Sequence, residues 1–209
     1  MKSEDLITIL AQAPRASPPI PLAAGAMVLV VGAALLITST LGIRPDIATA
    51  ITTPHLIFKM GFLATLLACA VALTRQAAKP AGRAPVAIAI YYSLWAVLAI
   101  AAVADFIVNP ADAVASGILS RTGAFCVGFV FLYGLVAMGA MTCLVRQYAP
   151  TDLPAAGRLI GLTAAAAGAL GYAIHCPMDN AAYILFAYGT PMLALTLLGR
   201  WVLPRFLAW

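Results

Sequence analysis

Soft and nucleophilic side chains are scarce in this sequence: two histidines and four cysteines among 209 residues. One short run, His175-Cys176-Pro177-Met178-Asp179, places an imidazole, a thiol and a carboxylate within five positions. Such groups support either thiol oxidation or ligation of a borderline metal ion. Pro177 disfavours helix at the residue before it and suits the first position of a helix, so Cys176 is expected to cap the helix that follows. A helix N-terminus and a protonated His175 would both favour a thiolate there. Cys126 is the second candidate thiol, although a single Cys in an apolar run can equally be a small core residue. With no CxxC in the chain, two readings stay open. One is a redox or signal-sensing pair, Cys126 with Cys176. The other is a site for a transient thiophilic metal ion built from Cys126, Cys176, His175, His55 and Asp179. No catalytic set is assigned, and an enzyme is not expected.

The elements that must position these residues are membrane helices. Hydrophobic residues make up 64% of the chain and charged residues only 9%, too little polar surface to coat a water-soluble globule. Uncharged runs at Leu22–Ile43, Leu56–Thr74, Val86–Val108, Thr122–Val145, Leu159–Ile174 and Asn180–Leu203 give six candidate spans. Each is near the roughly 20 residues that a bilayer core requires, with the fifth short and expected to run on to Cys176. Pro191 interrupts the sixth span and predicts a kink. The expected fold is therefore all-α: an integral membrane bundle of six transmembrane helices.

Lys and Arg set its orientation. Lys2, Arg15, Arg75, Lys79, Arg83, Arg146, Arg158, Arg200 and Arg205 fall on one side, and Arg44, Lys59 and Arg121 on the other. The positive-inside rule then places both termini in the cytoplasm. The net charge of +5 is spread between apolar blocks, which reads as topology and not as a surface for nucleic acid. An apolar run of 22 residues at Leu22–Ile43 exceeds the roughly 7–15 of a cleaved signal core, so the first span is expected to be retained.

This topology puts both histidines, Cys126 and Cys176 at the outer face, together with Asp46, Asp105, Asp112 and Asp179. Cys126 lies five positions after Arg121, about 7–8 Å deeper, shallow enough for Cys176 to meet it. In a bacterial inner membrane the outer side is the periplasm, where disulfides persist. Cys69 and Cys143 map to the cytoplasmic halves. Lys59 and Asp105, near the outer boundary, are expected to snorkel to the headgroups or to pair with each other. Ala164, Ala167, Gly168 and Gly171 give span five a small-xxx-small pattern that predicts close helix packing.

Two segments follow as a domain division. Residues 1–21 hold an amphipathic start, with Ser3 as N-cap and Leu6, Ile7 and Leu10 as its apolar stripe, and a Pro-rich linker. Residues 22–209 form the six-helix domain. The stripe could dock into a partner's groove or lie on the lipid surface.

The start Met1-Lys2-Ser3-Glu4-Asp5-Leu6-Ile7, the Arg44-Pro45-Asp46 connection, Cys126, the His175-Cys176-Pro177-Met178-Asp179 connection followed by Tyr183 and Tyr188, and the ending Leu203-Pro204-Arg205 together resemble the NrsF-type inner-membrane anti-sigma factors. The resemblance spans nearly the whole chain. It implies a multi-pass protein of the bacterial inner membrane that holds an extracytoplasmic-function (ECF) sigma factor and releases it under heavy-metal or oxidative stress. It further implies that Cys126 and Cys176 carry the response. The amphipathic start is then expected to bind the sigma factor, through Asp5, Leu6, Ile7 and Leu10. Phe125 stands where the family often has a Trp nearby, and Met178 where it more often has Glu. Two other classes fit an apolar bundle, a membrane thiol-disulfide oxidoreductase and a transporter of small solutes or metals. The missing CxxC weighs against the first, and the lack of mid-membrane charge against the second.

Overall fold

The computed structural model describes residues 20–79, 84–108 and 121–208. The amphipathic start, with Asp5, Leu6, Ile7 and Leu10, and Asp112 lie outside these residues. Six helices are long and apolar enough to cross a membrane: α1 Leu22–Thr40, α2 Pro54–Ala77, α3 Pro85–Val108, α4 Arg121–Arg146, α5 Leu153–Tyr172 and α6 Ala181–Val202. No strand occurs among the described residues. The expected six spans are present, and five agree with the observed helices to within three residues at either end.

The fifth differs most. It begins at Leu153, where the Asp152 carboxylate accepts the Ala155 N–H at 3.0 Å and Pro154 occupies the first turn. Arg158 interrupts the apolar run without interrupting the helix, because a single charge near a helix end can remain in a polar layer. At its other end α5 stops at Tyr172, short of Cys176.

Packing is organised around α5, which contacts α1, α2, α4 and α6. Its run from Ile160 to Ala169 is buried throughout and, apart from Ile160 and Leu162, is made of small residues that let neighbouring backbones approach closely. A Cβ at Gly157 would collide with the Gly199 carbonyl, and one at Gly161 with the Leu195 carbonyl. On the α4 side a Cβ at Gly168 would sit 2.8 Å from the Gly134 nitrogen. By contrast α3 is peripheral, lying along α2 and against the first turn of α6.

The helices alternate in direction. At one end of the bundle the Tyr148 hydroxyl of the α4 exit donates to Ile20 O at 2.8 Å, and the Thr74 hydroxyl of α2 meets that of Thr163 in α5 at 2.9 Å. The opposite end gathers the α1–α2 connection, the start of α4 and the α5–α6 connection. This is the thiol end.

Helix α6 is not regular. Between Ala181–Tyr183 and Gly189–Val202 lies a π turn, Ile184–Tyr188. Pro191 has no N–H to offer the Ala187 carbonyl four residues earlier, so the chain there is predisposed to a wider turn. The irregularity expected at Pro191 is thus taken up in the turn before it. Its effect is to direct Tyr183 and Tyr188, five residues apart, into the bundle, where both are buried.

Candidate functional site: a buried thiol pair beneath a charge network

Cys126, in the first turns of α4, and Cys176, in the α5–α6 connection, meet with their sulfurs 3.6 Å apart. Both are free thiols and both are buried, with exposures of 2% and 0%. Phenols surround them. The Tyr172 hydroxyl at the end of α5 lies 3.2 Å from Cys126 Sγ, and the Tyr183 hydroxyl 4.0 Å from Cys176 Sγ. The Tyr188 hydroxyl is buried with no hydrogen-bond partner among the described residues. Tyr172 stacks on Phe129 of α4 at 6.0 Å between ring centroids, which ties the ends of α4 and α5 together beside the thiols.

An ion network, buried at Arg44 and Lys59 and open to the outside at Asp46, covers the pair. Arg44, which leaves α1 through the Gly42 turn at φ 81°, grips Asp46 through two parallel bonds of 2.7 Å and reaches Asp179 at 2.8 Å. It also donates to the carbonyls of Cys176 and Pro177 at 3.4 and 3.3 Å. Lys59 of α2 is wholly buried and donates to Cys176 O at 2.8 Å, Met178 O at 3.0 Å and Asp179 Oδ1 at 3.0 Å. Three acceptors match its three N–H donors. The hydrogen bonds that Arg44 donates to Asp46, and then those to Asp179, hold its guanidinium above its ordinary pKa despite burial. Arg44 in turn holds the Asp46 carboxyl below its own. For Cys176 the hydrogen bond from the Cys126 thiol and the positive charge of Lys59 overcome burial, so its thiolate is favoured.

Several expectations are corrected by this geometry. Lys59 neither snorkels nor pairs with Asp105: its charge is satisfied by Asp179 and two carbonyls. Asp105 instead accepts the Ala181 N–H at 2.7 Å, closing one of the open donors at the start of α6. Cys176 does not cap α6, because Asn180 does, accepting the Tyr183 N–H at 2.7 Å. Pro177 accordingly lies in the connection and not at the first helical position. The thiolate preference of Cys176 comes from Cys126 and Lys59, not from a helix N-terminus.

The five residues considered for a metal are divided. Among the described residues no group of three or more His, Cys, Asp or Glu is placed to hold a metal ion. His175 Nδ1 is 2.9 Å from Gly42 O, and Asp179 is committed to Arg44 and Lys59. His55 lines an outer groove of about 290 Å³ with Arg44, Asp46 and Asp179. Of that set, the two sulfurs lie 3.6 Å apart. Cys69 is buried in mid-α2 and Cys143 is exposed near the far end of α4, both remote in sequence position from the thiol end.

The family of negative regulators of sigma F, NrsF, matches this chain over residues 6–209. The chain belongs to the NrsF family. It is 30% identical over 204 residues to the "Probable anti-sigma-F factor NrsF" of Azospira oryzae, with 92% of each chain covered. It is 28% identical over 214 residues to the "Anti-sigma-F factor NrsF" of Caulobacter vibrioides, with both chains covered in full. No solved structure matches. Membership makes the chain a regulator of transcription, a negative regulator of a sigma factor, and not a member of an enzyme family.

For an NrsF protein the sequence reading found the two thiols and the connection between α5 and α6. It missed Tyr172, and it missed the joint role of Arg44 and Lys59. The available signal was Lys59 itself, since a lysine within an apolar span has to find a buried partner or water. Nothing in one sequence says which of several acids that partner is.

Proposed function

We propose that this NrsF-family protein is a multi-pass protein of the bacterial inner membrane, with both termini in the cytoplasm and the thiol end at the periplasmic face. Its N-terminal segment, through Asp5, Leu6, Ile7 and Leu10, holds an ECF sigma factor away from transcription. An oxidant or a thiophilic metal ion reaching Cys126 and Cys176 changes the thiol end and releases it. The observation that carries this reading is the 3.6 Å approach of a thiol from α4 and a thiol from the α5–α6 connection. Two buried sulfurs so placed can be joined by an S–S bond or bridged by one soft ion, and either event locks α4 to the α5–α6 connection.

The supporting physics is the chemical setting of the pair. Thiolates, not thiols, attack oxidants and bind soft ions, and Cys176 is the sulfur whose thiolate the surroundings favour. The nine-to-three division of Lys and Arg between the two faces supports the orientation, which places the pair in the compartment where disulfides persist.

A sigma-dependent reporter in strains carrying single Cys→Ser substitutions tests the reading. Cys126→Ser and Cys176→Ser should each abolish induction by oxidant and by thiophilic metal, while Cys69→Ser and Cys143→Ser should leave it intact. Full induction in both Cys126→Ser and Cys176→Ser would remove the thiols from the mechanism.

A further inference from the structure

We infer that Lys59 is the positioning residue of the thiol pair, holding the Cys176 segment so that its sulfur faces Cys126. The inference rests on the reading of the two thiols as a redox pair and names what keeps them in register.

A lysine with no exposed surface in an apolar helix is expensive, and a Met of similar volume would fill the same space without the cost of burying a charge. What Lys59 adds over Met is three donors. All three go to the α5–α6 connection: the Cys176 carbonyl, the Met178 carbonyl and the Asp179 carboxylate. The bonds pin Cys176 itself and the chain just after it. Without these bonds the segment from 173 to 180 has little regular structure of its own. It makes the α5 exit bonds from His175 N and Cys176 N to Tyr172 O, at 3.0 and 3.3 Å, and then no helix until Ala181.

Other groups face the same segment. Arg44 reaches the Cys176 and Pro177 carbonyls at longer distances, and it shares Asp179 with Lys59. His175 is turned away toward Gly42 O. The phenols of Tyr172, Tyr183 and Tyr188 approach from below, and the Tyr188 ring lies 5.6 Å under the Lys59 ammonium. Among the hydrogen bonds of the described residues, Lys59 is therefore the side chain that grips the Cys176 carbonyl at under 3 Å together with the Met178 carbonyl and the Asp179 carboxylate.

Glutathione disulfide can serve as the oxidant. The Cys126 and Cys176 sulfurs form one S–S bond, the glutathione S–S bond breaks, and two electrons and two protons pass to give two glutathione thiols. The equilibrium constant of this exchange measures how well the fold presents one sulfur to the other.

The test uses the full chain in detergent, in a Cys69→Ser, Cys143→Ser background, equilibrated in glutathione buffers at pH 7 with thiols counted by mass-tagged alkylation. Lys59→Met should lower the equilibrium constant at least tenfold, about 30 mV for a two-electron couple. Lys59→Arg, which keeps several donors, should recover most of it. Asp179→Asn, which leaves both carbonyl bonds to Lys59 in place, should lose less than Lys59→Met. Each variant is checked for an unchanged thermal midpoint in the reduced state; should Lys59→Met not fold, the comparison of Lys59→Arg with Lys59→Gln, whose amide offers only two donors, carries the same ordering.

An unchanged constant in Lys59→Met overturns the inference. So does a raised one, which would mean that the lysine acts by stabilising the reduced thiolate and not by position. Failure of the parent chain to form a disulfide at any buffer ratio would overturn the underlying redox reading itself, a result separable from the other two.

Discussion

Two buried cations and two carboxylates share one network above the thiols, and each has a role that its neighbours in sequence do not disclose. Arg44 is bound by Asp46 two residues on and by Asp179 at 135 residues' separation. Asp105, the partner for Lys59 that sequence position suggests, is used elsewhere because the first N–H of α6 needs an acceptor that its own turn cannot supply. Residue types were thus legible in the sequence, whereas pairing depended on which acid the tertiary fold brings to which cation. The same holds for Tyr172, whose hydroxyl becomes a thiol neighbour only because α5 ends beside α4. Asp105→Ala should strand the Ala181 N–H and loosen the contact between α3 and α6. The expected cost is about 0.5–2 kcal/mol, in line with the loss of other helix N-terminal acceptors. Thermal unfolding in detergent should show a lowered midpoint with Asp105→Ala and a smaller decrease with Asp105→Asn.

Helix positions were the most legible feature, since length and hydropathy alone locate all six apolar helices to within a few residues at most ends. Two features of the elements were less so. The start of α5 was obscured because Arg158 breaks the apolar run while the helix continues from an Asp152 cap. The π turn of α6 was signalled by Pro191 only as an irregularity, not as the device that turns Tyr183 and Tyr188 inward. The small-residue pattern of α5, in contrast, predicted close packing and the backbone contacts at Gly157, Gly161 and Gly168 explain it. Not all glycines are equal in this respect. Gly161→Leu should drive a side chain into the Leu195 carbonyl and cost at least the upper end of the roughly 1–3 kcal/mol typical of overpacking. Gly139→Leu, on an α4 face where an added Cβ meets nothing within 4 Å, should be close to neutral. The ratio of folded monomer recovered by size-exclusion chromatography after mild heating distinguishes the two.

For the whole molecule, the arrangement separates a thiol end from the end where the described chain begins, near Ile20, across the length of α1. In the proposed orientation the signal enters at the periplasmic face and the sigma factor is held at the cytoplasmic one. Helix α5 touches α1, α2, α4 and α6, so a change that locks the α5–α6 connection to α4 acts on the element with the broadest contact. The central claim is that the state of the Cys126–Cys176 pair decides whether sigma factor is held. Its most direct measurement is co-purification of the sigma factor with the full chain, first reduced and then after conversion of the pair to the disulfide by glutathione disulfide. A chain with Leu6→Asp and Leu10→Asp defines the background. The reduced protein should retain sigma factor well above that background, the disulfide form should lose at least nine-tenths of it, and Cys126→Ser under the same oxidant should retain it. Undiminished retention after complete disulfide formation would contradict the account.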